Sequence, residues 1–197
     1  MLVTVDIGNT NITIGIFDKD ELIGTYRLTT KVRRTSDEYG FMLKNFLDRS
    51  NVHEKQIEAV IVSSVVPKVM HSFTNGIKKF VGIEPLIVGP GIKSGISVQL
   101  ENPRNVGADR IADCAGAFSE HGGPILVADF GTATTYDYVD ENGCFKAGAI
   151  GVGIETGANA LWGQTAQLPE IEIKRPKTIL ARNTQTEMQA GVFYQFL

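Results

Sequence analysis

The chain opens on apolar residues set between polar ones, Val3-Thr4-Val5-Asp6-Ile7, and the run Ile12 to Phe17 follows after a short polar gap. The turn Asp18-Lys19-Asp20 closes that run, and Leu22 to Leu28 returns, which predicts a strand followed by a β-hairpin. The apolar spacing then lengthens. Phe41, Leu43, Phe46 and Leu47 recur between Ser36 and Ser50 at the period of a helix, with those four side chains inward and Ser36 as its N-cap. Ala59 to Val62 reads as a buried strand, a helix begins at Pro67, Pro85 to Val88 is a further strand, and another helix starts near Val106. The pattern then resets. Leu126 to Phe130 is strand-like, Thr135 to Val139 and Cys144 to Ile150 flank the turn Asp140-Glu141-Asn142-Gly143, and helices are expected over Ile154 to Ala166 and Asn183 to Leu197.

This reset is an internal repeat. Val3-Thr4-Val5-Asp6-Ile7-Gly8-Asn9-Thr10 overlays Leu126-Val127-Ala128-Asp129-Phe130-Gly131-Thr132-Ala133, with Asp6 on Asp129 and Gly8 on Gly131 at an offset of 123 residues. The first copy reads β-β-β-α-β-α-β-α, and the second starts the same way. An α/β fold of two duplicated halves is expected, residues 1–122 and 123–197. The second copy has no match for one strand and one helix of the first, so the C-terminal half is expected to be incomplete.

Composition narrows the field. Apolar residues make up 43% of 197, enough for a real core, and 19 basic against 22 acidic residues leave a net charge of −3. That balance carries no basic face for nucleic acid. The longest apolar runs fall far short of the roughly 20 residues of a membrane span. No cationic leader precedes the first strand, and two cysteines cannot form a disulfide framework. A cytoplasmic globular protein is the expectation. Glycine stands at 21 residues, single between apolar runs, which marks tight turns or backbone approaching a ligand.

Two of those glycines sit in loops with chemistry. In Asp6-Ile7-Gly8-Asn9-Thr10-Asn11, a glycine lets backbone N–H groups approach a phosphate, and the small polar side chains add donors. Asp6 suits such a loop only if a cation lies between it and the phosphate. Asp129-Phe130-Gly131-Thr132 has the same chemistry, so two facing loops could clamp one polyphosphate. Gly107-Ala108-Asp109-Arg110 opens a helix, where free N–H groups and the dipole favour an anion. Arg110 could fork onto a substrate carboxylate, and Asp109 could orient an attacking hydroxyl and take its proton. The alternative is that Asp109 caps the helix and Arg110 pairs with Asp113 or another acid.

The two loops resemble those of the acetate and sugar kinase, Hsp70 and actin superfamily. With Val88-Gly89-Pro90-Gly91, Gly107-Ala108-Asp109-Arg110 and Arg182-Asn183-Thr184, the whole chain is similar to the type III pantothenate kinases. The resemblance implies an actin-like (ribonuclease H-like) fold with ATP between the halves and transfer of phosphate to pantothenate, the first step of coenzyme A biosynthesis. It implies Asp109 as general base and Gly107, Ala108, Asp109, Arg110 and Thr184 at the substrate. Asp6, Ile7, Gly8, Asn9, Thr10, Asn11, Ile12, Thr13 and Thr132 would bind ATP. Asp129 would hold a monovalent cation, potassium or ammonium, beside Mg²⁺ or another divalent cation on ATP. It also implies a homodimer. Leu100 departs from the family, which commonly has an aromatic residue there.

His53, His71 and His121 stand without partners at ligand spacing, and Cys114, Cys144 and Trp162 read as packing residues. Two other functions fit the superfamily: a non-catalytic regulatory protein acting as a transcriptional accessory, or another small-molecule kinase. Nucleotide turnover that depends on pantothenate separates all three.

Overall fold

The computed structural model describes residues Met1 to Phe196. Strands β1 (Leu2–Ile7), β2 (Asn11–Asp18) and β3 (Glu21–Thr29) form an antiparallel meander, followed by α1 (Ser36–Arg49), β4 (Ala59–Ser64), α2 (Pro67–Val81) and the short β5 (Leu86–Ile87). They make a five-stranded sheet in the order β3-β2-β1-β4-β5, with β4 parallel to β1. Next come β6 (Ser97–Val98), α3 (Ala108–His121), β7 (Ile125–Phe130), β8 (Ala133–Val139) and β9 (Cys144–Val152). These strands form a second sheet in the order β6-β9-β8-β7. Helices α4 (Ile154–Gly163) and α5 (Thr184–Gln195) follow. Leu197, expected to end the last helix, lies outside the described residues.

The alternation at the start of the chain does what it predicts. Val3, Val5 and Ile7 of β1 and Ile12, Ile14 and Ile16 of β2 are buried against Tyr39, Leu43 and Leu47 of α1 and Phe73 and Ile77 of α2. Each such aliphatic side chain contributes about 1.5–3 kcal/mol on burial. The helix cap differs from expectation. Thr35 caps α1, accepting from the Glu38 N–H at 3.3 Å, while the Glu38 carboxylate accepts from the Thr35 N–H at 2.7 Å. Thr35 has a glutamate three residues on and Ser36 does not, so Thr35 completes the capping box of α1. Phe41 is exposed rather than inward, its ring tilted against that of Phe80. Two residues from Leu43 place it about 200° round the helix, on the far side from the core.

The second core forms around Val106, Ile111 and Cys114 of the α3 region with Val139 and Phe145. Leu100 packs against this cluster, so the aliphatic residue fills space in the core. The first cluster draws on residues as far as Ile83, and the second takes in residues from Val88 onward. Strand β6, too short to read from the pattern, pairs parallel with β9 and carries the linker into the second sheet. Helix α3 contacts β4 on one side and β7 and β8 on the other, which makes it the element shared by both halves.

The repeat holds, with one difference. Ile7 faces Ile12 across the first hairpin, but Phe130 faces Thr134 across its counterpart, so the second loop is one residue shorter. Among the described residues, β7 has no parallel partner corresponding to β4, and Leu126 and Phe130 on it are exposed.

Candidate active site

The first loop is held from several directions. The Gly8 N–H donates to the Asn11 carbonyl at 3.0 Å, and the buried Thr30 hydroxyl donates to the Gly8 carbonyl at 2.8 Å. The second loop has an equivalent set. The Gly131 N–H donates to Ala133 at 3.0 Å, and the Thr156 hydroxyl and Gly153 N–H both donate to the Thr132 carbonyl, at 2.7 and 3.1 Å. Gly153 cannot carry a side chain, because a Cβ there would lie 2.6 Å from the Thr132 oxygen. The loops meet. Thr10 and Thr132 hydroxyl oxygens lie 2.9 Å apart, although they are not equivalent positions of the repeat.

Helix α3 presents its N-terminus beside these loops. Gly107 is its N-cap residue, and the Asp109 carboxylate accepts from the Arg110 N–H at 2.8 Å. Asp109 raises the carboxyl pKa of Asp6, Asp113 and Asp129, so the four acids share one field. Desolvation lifts the Asp6 carboxyl above its ordinary range, Asp109 and Asp129 add to the rise, and nearby Ser63 opposes it. Ser63 stands opposite Asp6 in the β1–β4 register, buried, with its hydroxyl outside hydrogen-bond geometry to any described group. Asp129 is raised by desolvation and then by Asp109 and Asp137.

Asp113 was not legible as part of this group. Desolvation pushes its carboxyl up to about 6, and Asp129, Asp109, Asp6 and Asp137 push in the same direction. Much of its surface still opens to the cleft, so crowding by acids matters beside burial. The signal was the four-residue step from Asp109, which puts both carboxylates on one helix face.

Arg110 has a partner that the sequence does not show. Its Nε lies 3.1 Å from both carboxylate oxygens of Asp137 on β8, its Nη2 pairs with Oδ1, and its guanidinium lies over the Phe145 ring at 5.3 Å. Asp137 is buried and Arg110 partly so, and the Asp137 hydrogen bond raises the Arg110 pKa further. Asp113, weighed as an ion-pair partner from sequence, is not the one. Thr184 stands apart from this cluster. It begins α5, which packs on α4, and lines a groove with Leu161, Leu168 and Met188.

Cys114 is fully buried, and burial pushes its thiol up to about 12, so it is a packing residue. Among the described residues, no group of three or more His, Cys, Asp or Glu side chains could cage a metal ion, and no helix is long and apolar enough to cross a membrane.

Two α/β halves with paired glycine loops and an acid-bearing helix between them define an actin-like phosphotransferase. The structure resembles one named for the Baf family of transcriptional activators from Campylobacter jejuni, with a TM-score of 0.54, 18% identity, and 98% of this chain and 75% of that one covered. It also resembles an activator of 2-hydroxyisocaproyl-CoA dehydratase from Clostridium difficile with bound ADPNP, with a TM-score of 0.50, 11% identity, and 98% and 64% covered. Both show the fold alone. The family model for type III pantothenate kinase matches residues 2–197. A type III pantothenate kinase of Bifidobacterium longum subsp. infantis is 58% identical over all of this chain and 77% of its own length. One of Agathobacter rectalis is 53% identical over 98% of this chain and 75% of the relative, and one of Listeria monocytogenes is 43% identical over 100% and 76%. The chain belongs to the type III pantothenate kinase family, and its activity is the ATP-dependent phosphorylation of pantothenate that begins coenzyme A biosynthesis.

Proposed function

We propose that phosphoryl transfer takes place in the cleft between the two glycine loops, with Asp109 as the general base. One observation carries this reading: the loop hydroxyls of Thr10 and Thr132 meet at 2.9 Å beside the acids grouped around Asp109. Residues Asp6 to Thr13 and Thr132 bind the ATP phosphates, with backbone N–H groups and hydroxyls as donors. The motif Gly107 to Arg110 receives pantothenate at the N-terminus of α3, where the free N–H groups suit its carboxylate. Asp109 takes the proton of the primary hydroxyl as its oxygen bonds to the γ-phosphorus, and the bond to the ADP oxygen breaks. Positioning and charge neutralisation supply most of the rate in such transfers.

The cleft suits cations held jointly with phosphate. Asp6 is raised by desolvation, Asp109 and Asp129, and Asp129 by desolvation, Asp109 and Asp137, so acids rather than cations act on both, and Ser63 offers a buried unpaired oxygen next to Asp6. Hard oxygen donors too few for an all-protein cage fit a divalent ion that keeps water and phosphate ligands. Asp6 would hold a divalent ion and Asp129 a potassium or ammonium ion. When bound, these ions neutralise phosphate charge. Thr184 reaches substrate only from a second subunit or after movement of α5, which accords with a homodimer. The enzyme works in the cytoplasm. A coupled assay of ADP release with pantothenate, magnesium and potassium tests the proposal. ADP release that does not depend on pantothenate would refute it.

A further inference from the structure

Arg110 is the cation of the substrate motif, yet its side chain does not reach the acids that crowd the cleft. Asp109 and Asp129 both push the Asp113 carboxyl up, and Asp109 does the same to Asp129, so a long cation nearby would be drawn to them. Asp137 prevents that. Its carboxylate, fully buried on β8, engages the Nε and Nη2 edge of the guanidinium, and the Phe145 ring lies against the guanidinium at 5.3 Å. The third strand makes room for the pair. Gly148 faces Asp137 in the β8–β9 register, and a Cβ there would fall on Arg110 Nη2 and Asp137 Oδ1. Two strands, β8 and β9, thus fix one guanidinium, and among the described residues Nη1 has no hydrogen-bond partner.

We propose that Asp137 is a positioning residue that presents Arg110 to the carboxylate of the substrate. The inference rests on the reading that Arg110 meets that carboxylate. A free arginine surrenders rotamer entropy on binding and can fold onto a neighbouring acid. One held along its Nε–Nη2 edge offers its remaining donors already oriented. The pair also keeps Arg110 from neutralising Asp109, whose proton transfer needs a free carboxylate. Asp137 touches neither substrate nor reacting atoms and acts through Arg110.

The test compares pantothenate with its neutral amide analogue, by kinetics and by calorimetric binding, in the full chain and its Asp137→Asn, Asp137→Glu and Arg110→Ala variants. In Asp137→Asn the pantothenate KM and Kd rise about tenfold, the loss expected when one charge-assisted contact is misplaced. Its kcat changes less than about threefold, and the amide and ATP constants stay put. Asp137→Glu keeps the charge but moves the carboxylate by one methylene, so it shows the same selective loss if the asparagine variant fails to fold. Equal losses for acid and amide would mean a structural role and overturn the inference, as would an unchanged pantothenate affinity. If Arg110→Ala leaves the acid-over-amide preference intact, the underlying reading of Arg110 fails. If Arg110→Ala abolishes that preference while Asp137→Asn and Asp137→Glu both keep it, that reading stands and the role of Asp137 falls.

Discussion

Replacing Gly148 with alanine adds a single methyl group and tests the geometry around the buried ion pair directly. The added Cβ would stand 2.5 Å from Asp137 Oδ1 and 3.2 Å from the Tyr136 carbonyl, and it would overlap Arg110 Nη2. The carbonyl belongs to the β8–β9 ladder and cannot retreat, so the ion pair must give way. Separating a buried pair costs about 3–5 kcal/mol when a charge is left uncompensated. Arg110 is partly accessible and water can reach it, which lowers the loss, and alanine regains about 0.5–1 kcal/mol over glycine in a strand. A net destabilisation of about 2 kcal/mol is expected, or about 4–8 °C in melting temperature for a chain of this size. Urea unfolding followed by circular dichroism measures it. As a control, Gly163→Ala on α4, where a Cβ would meet nothing within 4 Å, should be neutral or slightly stabilising. A Gly148→Ala protein as stable as the parent would show that Arg110 and Asp137 are not held together as described.

Three further outcomes are expected. Asp109→Asn should lower kcat by about 10²–10⁴-fold with little change in pantothenate Kd by calorimetry, because an amide keeps the shape but takes no proton; a near-parental rate would remove Asp109 from the role of base. Turnover should be several-fold faster in potassium or ammonium than in sodium, and Asp129→Ala should erase the difference; equal rates in both salts would refute the cation role. Asp113 has a folded-state pKa raised to about 6, so the native state binds more protons than the unfolded chain between about pH 4 and 6, and stability falls as pH rises through that window. Asp113→Asn should therefore raise stability at pH 7.5 by about 1 kcal/mol once solvent screening is allowed for, read as a melting temperature about 2–4 °C higher, and match the parent near pH 4; a variant less stable than the parent at pH 7.5 would contradict the repulsion.

The elements that sequence reveals are those whose periodicity is set by one sheet and its helices. β1, β2, α1 and α2 bury one clear face each, so their apolar spacing states their type and partners. β6 has two residues and exists only because β9 offers an edge, and no local pattern encodes that. The site divides the same way. Glycine loops and a Gly-x-Asp-Arg helix start are local chemistry, visible in a few consecutive residues. Asp137 and Gly148 matter through contacts from the second sheet to Arg110, 27 residues before Asp137 in the chain, and Ser63 matters because it stands opposite Asp6 in the β1–β4 register. Contacts of that kind depend on register, which a single sequence does not display.

Helix α3 explains why these separate parts behave as one site. Its period sets Asp109 and Asp113 on the face toward the cleft, and Arg110 and Cys114, also four residues apart, on the neighbouring face toward the second sheet. The first pair lies in the field of Asp6 on one sheet and Asp129 on the other. The second pair turns inward, Cys114 buried in the apolar cluster and Arg110 half-buried on Asp137. A displacement of α3 along its axis would move Asp109 and Arg110 together, and the Arg110–Asp137 pair and the packing of Ile111 and Cys114 resist it. Helix α3 also touches β4 of the first sheet, so any opening of the two loops must carry it with one half or slide it past the other. Arg110 on Asp137 and Cys114 in the apolar cluster tie α3 to the second sheet, so such an opening would carry Asp109 with the Thr132 loop rather than with the Asp6 loop.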